Sequence, residues 1–155
     1  GGVVIDRMSL GGDPARHRFP RAWLAHDSAD FSFSGLKTAL RTFLASPEGK
    51  GAKAEDVAAS YQEAIVDVLA GKGLAAAKRE GIPRLVLSGG VSANSRLRAL
   101  ARERGASEGV EVFLPSRALC TDNAAMVALL GERRMSAGAC SGPDLNAYAA
   151  SRFSR

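Results

Sequence analysis

The hydrophobic positions of the chain follow a helical period over its middle third. Val57, Tyr61, Ile65 and Val68 recur at spacings of four, four and three within residues 54–80. Apolar residues at this spacing share one side of a helix, so the pattern predicts a long helix with a single apolar stripe. A Gly and a Pro that follow the segment predict its end.

The pattern then changes to short apolar runs at residues 84–87 and 110–114, which predict buried strands. A Ser-Gly-Gly turn at 88–90 and a second helix over 91–105 separate these runs. A strand, a helix and a strand joined by short connections predict an α/β fold with a parallel strand pair. Because such crossovers are right-handed, we expect both long helices on one face of the pair.

The residues before the long helix predict only short elements and irregular segments. Residues 1–30 predict irregular structure, and residues 30–33 alternate polar and aromatic side chains as a short strand would. Ser34 is the predicted N-cap of a helix that ends before Pro47. Residues 48–53 predict a surface loop.

Near the end of the chain, Thr121 is the predicted cap of a last helix over residues 122–135. We expect residues 1–138 to form one lobe and residues 139–155 a flexible tail. With at most three strands the predicted sheet is thin, which indicates that it either adjoins more sheet or is covered by dimerisation.

Composition narrows the class of protein. Hydrophobic residues make up 46% and charged residues 24% of the 155 positions, which is typical of a soluble globular protein and excludes an extended disordered chain. No apolar run reaches the roughly 18 residues of a membrane span. The start of the chain lacks both Met and a secretory signal, so we expect that it begins inside a longer protein. The net charge of +5 indicates a nucleic-acid partner only weakly, and a solvated basic surface is the favoured interpretation.

The number and spacing of the cysteines and histidines argue against a simple metal site or a disulfide framework. Cys120 and Cys140 form no CxxC pair, which favours a reducing cytoplasm. His17 and His26 are nine residues apart, a spacing that does not place two ligands on one helical face.

The turn at residues 88–94 is the most informative candidate site. It follows a predicted strand and opens a helix, the place where open α/β sheets bind ligands and where helix N-termini favour anions. Asn94 would direct an amide into this space. The alternative is a plain strand-to-helix turn with Ser92 as N-cap. Neither a Walker A loop nor a Rossmann fingerprint is present. One helix dipole contributes roughly 0.3–1 kcal/mol to an exposed anion, whereas a micromolar ligand needs about 8 kcal/mol, so the turn can be only part of a nucleotide site.

Three further groups of residues are weaker candidates for a functional site. Asp122, near the predicted sheet edge that bears Asn94, could bind a metal or cap the last helix. Ser34 and Lys37 have the Ser-x-x-Lys spacing of β-lactamases without the companion motifs. The four arginines of the helix after the turn predict a solvated surface, with RNA contact as the alternative. These are Arg96, Arg98, Arg102 and Arg104.

Three motifs together resemble a known family. They are Asp-Phe-Ser-Phe-Ser-Gly-Leu-Lys-Thr at 30–38, Ser-Gly-Gly-Val-Ser-Ala-Asn at 88–94 and Cys-Thr-Asp-Asn-Ala-Ala-Met at 120–126. In order and spacing they resemble the bacterial tRNA N6-adenosine threonylcarbamoyltransferase family, formerly called O-sialoglycoprotein endopeptidase or glycoprotease. The match corresponds to the C-terminal half of a family member.

The resemblance implies the C-terminal lobe of an actin-like, sugar-kinase-like ATPase fold. It implies transfer of a threonylcarbamoyl group from threonylcarbamoyl-adenylate to N6 of the adenosine 3′ of a tRNA anticodon, together with companion proteins. By motif position, Asn94 would bind the adenylate, and Gly2 and Asp6 would contact its nucleoside, since they lie in a Gly-Gly-x-x-Ile-Asp motif at residues 1–6 that the family shares. Asp122 would be one ligand of a divalent iron or zinc ion, which would polarise the carbonyl or orient the mixed anhydride. No catalytic side chain is assigned.

The family's HxxxH motif and first lobe are absent from the sequence, and the usual Pro after the first two glycines is missing. We therefore expect the chain alone to be inactive. Two alternatives remain: a fragment of a glycoprotein-cleaving metalloprotease, and a non-catalytic module for docking or homodimerisation.

Overall fold

The structure, a computed structural model, describes residues 1–23 and 28–146. The chain divides into two compact units, Gly1–Thr121 and a second unit that begins at Asp122. The helices and strands of the described residues are α1 (Gly2–Ser9), α2 (Ser34–Ala45), α3 (Pro47–Gly51), α4 (Ala54–Arg79), β1 (Arg84–Val86), α5 (Ser95–Glu108), β2 (Glu111–Phe113) and α6 (Ala124–Ser136). Two 3-10 turns, Gly90–Ala93 and Arg117–Leu119, precede α5 and follow β2.

The helix α4 is the centre of the first unit. The predicted long helix is confirmed, but the prediction of a single apolar stripe is wrong. Tyr61 and Ile65 are only partly buried, whereas Ala64, Val66 and Ala70 between them are buried. The reason is that α1, α2, α5 and β1 surround α4, so that small and branched apolar residues are buried on several of its sides.

The two strands form the predicted parallel pair, with Leu85 opposite Val112 and Val86 opposite Phe113. The prediction that they are buried is wrong, because only Leu85 and Val112 are partly buried and the other strand residues are exposed. Leu85 and Val112 lie on the face that packs against the core formed by α4 and α5. Both helices therefore cover one face of the pair, as the handedness of the crossover predicts. Val86 and Phe113 point the other way, and both are exposed.

Close approach of α5 and β2 depends on Gly105. A Cβ atom at this position would lie 2.5 Å from Cγ2 of Val112 and 2.6 Å from the carbonyl oxygen of Val110. The helix continues beyond Gly105, where we expected it to end, and finishes at Glu108. Here the glycine serves helix–strand packing and does not terminate the helix.

The strand predicted at residues 30–33 is absent from the structure. At the start of this segment, Nζ of the buried Lys72 donates to the carbonyl oxygens of Ser28 and Asp30. These carbonyl groups therefore bind a side chain and not a neighbouring strand. Phe31 and Phe33 stack on each other with ring centroids 6.3 Å apart. The alternating pattern thus reflects two stacked aromatic rings and not a strand.

Two other predictions near the N-terminus were wrong. Residues 1–30, predicted as irregular, contain α1, which packs on α4 and owes its stability to that contact, since an isolated helix this short is not stable in water. The predicted loop after Pro47 contains α3, with Pro47 at its first position and Ser46 as its N-cap. The helix α2 begins at Ser34, so Ser34 is its first residue and not the predicted N-cap, which is Phe33.

The second unit contains α6, which begins two residues later than predicted. Its N-cap is Asn123, whose Oδ1 accepts a hydrogen bond from the Met126 amide at 3.1 Å, and not the predicted Thr121. Residues 139–146 form no helix or strand, whereas the rest of the predicted tail, 147–155, lies outside the described residues. In the described part of the chain no helix is both long and apolar enough to span a membrane.

Candidate functional site

The candidate site begins where β1 ends and the chain turns into α5. Gly89 adopts φ +84° and ψ 171°, a conformation open essentially only to glycine. The turn is closed by Ser92, whose Oγ donates to the Gly89 carbonyl oxygen at 2.7 Å. The predicted glycine turn is therefore confirmed, and a 3-10 turn separates it from α5.

Asn94 is the N-cap of α5, a role that the alternative interpretation had given to Ser92. Its Oδ1 accepts a hydrogen bond from the Leu97 amide at 2.9 Å. Its Nδ2 donates to Oε1 of Gln62, on α4, at 2.7 Å. An amide NH2 group has two hydrogens, and the bond to Gln62 uses one of them.

Asp6, on α1, lies against the same helix N-terminus. Its carboxylate accepts hydrogen bonds from the Ser95 amide, at 3.1 and 3.2 Å to the two oxygens, and from Ser95 Oγ at 2.6 Å. A negative charge at the N-terminus of a helix is stabilised by the helix dipole. The contact joins residues 89 positions apart in the sequence, which no local pattern could have predicted.

Gln62 is a residue of this site that the sequence analysis missed. Its side chain is buried, its Nε2 donates to Oγ of Ser9 at 2.7 Å, and Ser9 Oγ donates to the Asp6 carbonyl oxygen at 2.8 Å. A polar side chain inside the apolar period of α4 was the available signal, because a buried amide requires partners.

One open pocket of about 560 Å³ connects these groups. Three of its lining residues, Gly2, Asp6 and Asn94, are those that the family motifs single out. The others are Val3, Ile5, Gln62, Ile65, Val66, Gly90, Val91, Ala93 and Arg117. A mostly apolar wall with a few polar groups is typical of small-molecule sites.

Arg98 connects the loops that follow β1 and β2 by hydrogen bonds. Its Nη1 donates to the Ser92 carbonyl oxygen at 3.0 Å and its Nη2 to the Pro115 carbonyl oxygen at 2.8 Å. Ser92 Oγ also lies 3.2 Å from Sγ of the buried Cys120. The loops after β1 and β2 are thus held together by buried and half-buried polar contacts.

The prediction of a solvated arginine surface on α5 is wrong for most of its members. Arg96 forms a bidentate ion pair with Glu63, in which Nε donates to Oε2 at 2.6 Å and Nη2 donates to Oε1 at 2.8 Å. This hydrogen bonding raises the pKa of Arg96 despite its partial burial. Arg104 pairs with Asp67, which also accepts from Arg21. These partners lie on α4 and on the segment before α2, so the charges join elements of the first unit.

The described residues do not form a metal centre. No group of three or more His, Cys, Asp or Glu side chains that could hold an ion occurs among them. Asp122 is exposed in the second unit. His17 packs on Phe43 and lies 3.5 Å from a carboxylate oxygen of Glu48, whereas His26 lies outside the described residues.

A parallel strand pair covered by helices, with a pocket at the carboxyl end of β1, is typical of α/β proteins that bind ligands at this edge, and it agrees with the actin-like ATPase fold that the family resemblance implies. A family model described as tRNA N6-adenosine threonylcarbamoyltransferase matches residues 1–129. Curated proteins of that name from Anaeromyxobacter dehalogenans and Syntrophotalea carbinolica are 54% and 48% identical over 95% of this chain. The chain therefore belongs to the tRNA N6-adenosine threonylcarbamoyltransferase family, and it spans 45% and 44% of the length of these relatives.

Proposed function

We propose that the chain is the C-terminal lobe of an enzyme that transfers a threonylcarbamoyl group from threonylcarbamoyl-adenylate to N6 of the adenosine 3′ of a tRNA anticodon. One observation supports this above the others. Gly2, Asp6 and Asn94 come from different parts of the sequence, match the family's adenylate-binding positions, and line the same pocket. The names of the relatives support the same reaction.

In this proposal the pocket binds the adenylate half of the donor. The apolar wall packs on the adenine base, and the free hydrogen of Asn94 Nδ2 is donated to the ligand. The Asp6 carboxylate, which has lone pairs beyond those used by Ser95, accepts from a ribose hydroxyl. The tRNA adenosine amine then attacks the carbamoyl carbon, the bond from that carbon to the phosphate oxygen breaks, and N6 loses a proton as AMP leaves.

The metal-dependent part of the reaction requires groups beyond the described residues. We propose Asp122 as one ligand of a divalent iron or zinc ion, but one carboxylate does not complete a site. We therefore expect the chain alone to be inactive. With threonylcarbamoyl-adenylate and unmodified tRNA it should give no modified adenosine, and robust turnover would overturn this expectation.

The partners and location follow from the same proposal. A tRNA substrate suits the net charge of +5. We propose a cytoplasmic location and companion proteins of the modification reaction as parts of the same proposal. A glycoprotein-cleaving activity has no support in the names of the relatives, so incubation with casein should leave the casein intact.

Binding of AMP to the chain, followed by two-dimensional ¹⁵N NMR, tests the adenylate site. NMR detects millimolar affinity, and we expect shifts at the Asn94 side chain and at the amides of residues 89–95. Asn94→Asp retains the helix cap but removes the NH2 donor, and it should weaken AMP binding by about tenfold, as the loss of one hydrogen bond would. Asn123→Asp, at the N-cap of α6, is the matched control and should bind AMP normally. Equal binding by all three proteins would contradict the proposal.

A second, non-catalytic candidate is association of two copies through the uncovered face of the strand pair. Val86 and Phe113 are neighbours on that face and are 68% and 44% exposed. Exposed apolar neighbours of this kind favour association. A monomeric mass by light scattering at high protein concentration would exclude this candidate without affecting the adenylate proposal.

A further inference from the structure

We propose that Gln62 is a positioning residue that fixes the orientation of the Asn94 amide, so that an N–H group and not a carbonyl oxygen is offered to the ligand. The inference rests on the proposed adenylate site. It concerns a residue of α4 that none of the family motifs in the sequence contains.

The two ends of the Asn94 amide are held by opposite kinds of partner. The Leu97 amide donates to Oδ1, and Oε1 of Gln62 accepts from Nδ2. If the amide were flipped, Nδ2 would face the N–H of Leu97 and Oδ1 would face Oε1 of Gln62. Both hydrogen bonds would become repulsions, so the observed orientation is strongly preferred.

The orientation of Gln62 is fixed in turn by Ser9. While the single hydroxyl hydrogen of Ser9 is donated to the Asp6 carbonyl oxygen, Ser9 Oγ accepts from Gln62. In this arrangement Nε2 of Gln62 faces Ser9 and Oε1 faces Asn94. Four successive hydrogen bonds point in one direction along the chain of groups from Leu97 to Asp6, an arrangement in which each bond polarises the next.

Burial makes this chain of hydrogen bonds difficult to replace with water. Gln62 is 6% exposed and Ser9 is 9% exposed. The groups also come from three helices, α1, α4 and α5, so the chain sets the position of Asp6 on α1 relative to Asn94. Both residues line the pocket, and loss of the central amide would therefore disturb both sides of the ligand.

The test compares substitutions of Gln62 by AMP titration and NMR. Gln62→Met preserves length and apolar stem but removes the acceptor, so we expect AMP affinity to fall about tenfold. The side-chain NH2 signals of Asn94 should also shift in the ligand-free protein. Gln62→Glu keeps an acceptor for Asn94, and the Ser9 hydroxyl can rotate to donate to it, so affinity should fall by less than about threefold.

Ser60→Ala controls for lost stability on the same helix. Ser60 is buried, but its Oγ binds the backbone of Asp13 and His17 and does not line the pocket. It should lower the unfolding free energy without changing AMP affinity. If Gln62→Met fails to fold, Ser9→Ala removes the group that orients Gln62 and should weaken AMP binding by about threefold.

The outcomes separate this inference from the proposed function. If Gln62→Met binds AMP as well as Ser60→Ala does, while Asn94→Asp binds it poorly, the positioning role is wrong and the adenylate site stands. If Asn94→Asp binds AMP normally, the adenylate site itself fails. Unchanged Asn94 NH2 signals in the ligand-free Gln62→Met protein would also overturn the positioning role.

Discussion

Replacing Arg98 tests the conclusion that an arginine on α5 is part of the internal structure. Arg98 donates to the carbonyl oxygens of Ser92 and Pro115, one on each of the loops that follow the two strands. Arg98→Met keeps most of the apolar stem and removes both donors. In this variant the carbonyl group of Ser92, a buried residue, loses its hydrogen bond to Arg98.

The size of the effect follows from the two hydrogen bonds. A hydrogen bond from a charged donor contributes about 1.5–3 kcal/mol, and the half-buried position of Arg98 places each bond at the lower end of that range. Release of side-chain entropy offsets up to about 1–2 kcal/mol of the sum. We therefore expect Arg98→Met to lower the free energy of unfolding by about 1–3 kcal/mol. Arg98→Lys, whose ammonium group cannot span both oxygens as the guanidinium does, should lose about half as much.

Urea denaturation monitored by circular dichroism measures this difference. Arg102→Met is the matched control, because Arg102 lies one turn further along α5 and is exposed. Its unfolding free energy should change by no more than about 0.5 kcal/mol. Equal midpoints for Arg98→Met and Arg102→Met would refute the reasoning and restore the interpretation of Arg98 as solvated surface.

Two other predictions concern packing and the pocket. Gly105→Ala gains about 1 kcal/mol in helix propensity but forces a Cβ against Val110 and Val112, so we expect a net loss of about 1–2 kcal/mol in thermal denaturation. Gly131→Ala in α6 meets no atom within 4 Å and should be neutral or stabilising; the same result for both would contradict the packing argument. Arg117 carries the positive charge among the residues that line the pocket. Arg117→Ala should therefore weaken the binding of AMP by about three- to tenfold and leave the binding of adenosine unchanged. Equal losses of affinity for both ligands would exclude a contact between Arg117 and the phosphate.

Local patterns predicted the elements that depend on local chemistry. The apolar runs near residues 85 and 112 predicted the parallel strands, and Gly89 predicted the turn, because strand propensity and positive φ each restrict the choice of residue locally. The long period of α4 likewise predicted the helix. The stripe on α4 was misjudged because alanines pack on several sides without making a periodic signal.

Long-range contacts decided what the patterns could not. The helix α1 is short, and its stability comes from packing on α4. The segment at residues 30–33 has the alternation of a strand, but its neighbouring carbonyl groups bind Lys72, which is 42 positions away from Asp30. Arginines that look solvated in sequence find carboxylates on α4 only after folding, since ion pairs between elements leave no spacing rule.

The sequence by itself determined the family, the parallel strand pair and the identity of Gly2, Asp6 and Asn94 as candidate ligand residues, because motifs and short-range preferences are written in consecutive positions. Only the tertiary structure brought those three residues to one pocket and added Gln62 between them. The physical reason is that a buried amide is satisfied by whichever groups the packing of α1, α4 and α5 delivers, and that packing depends on the whole core.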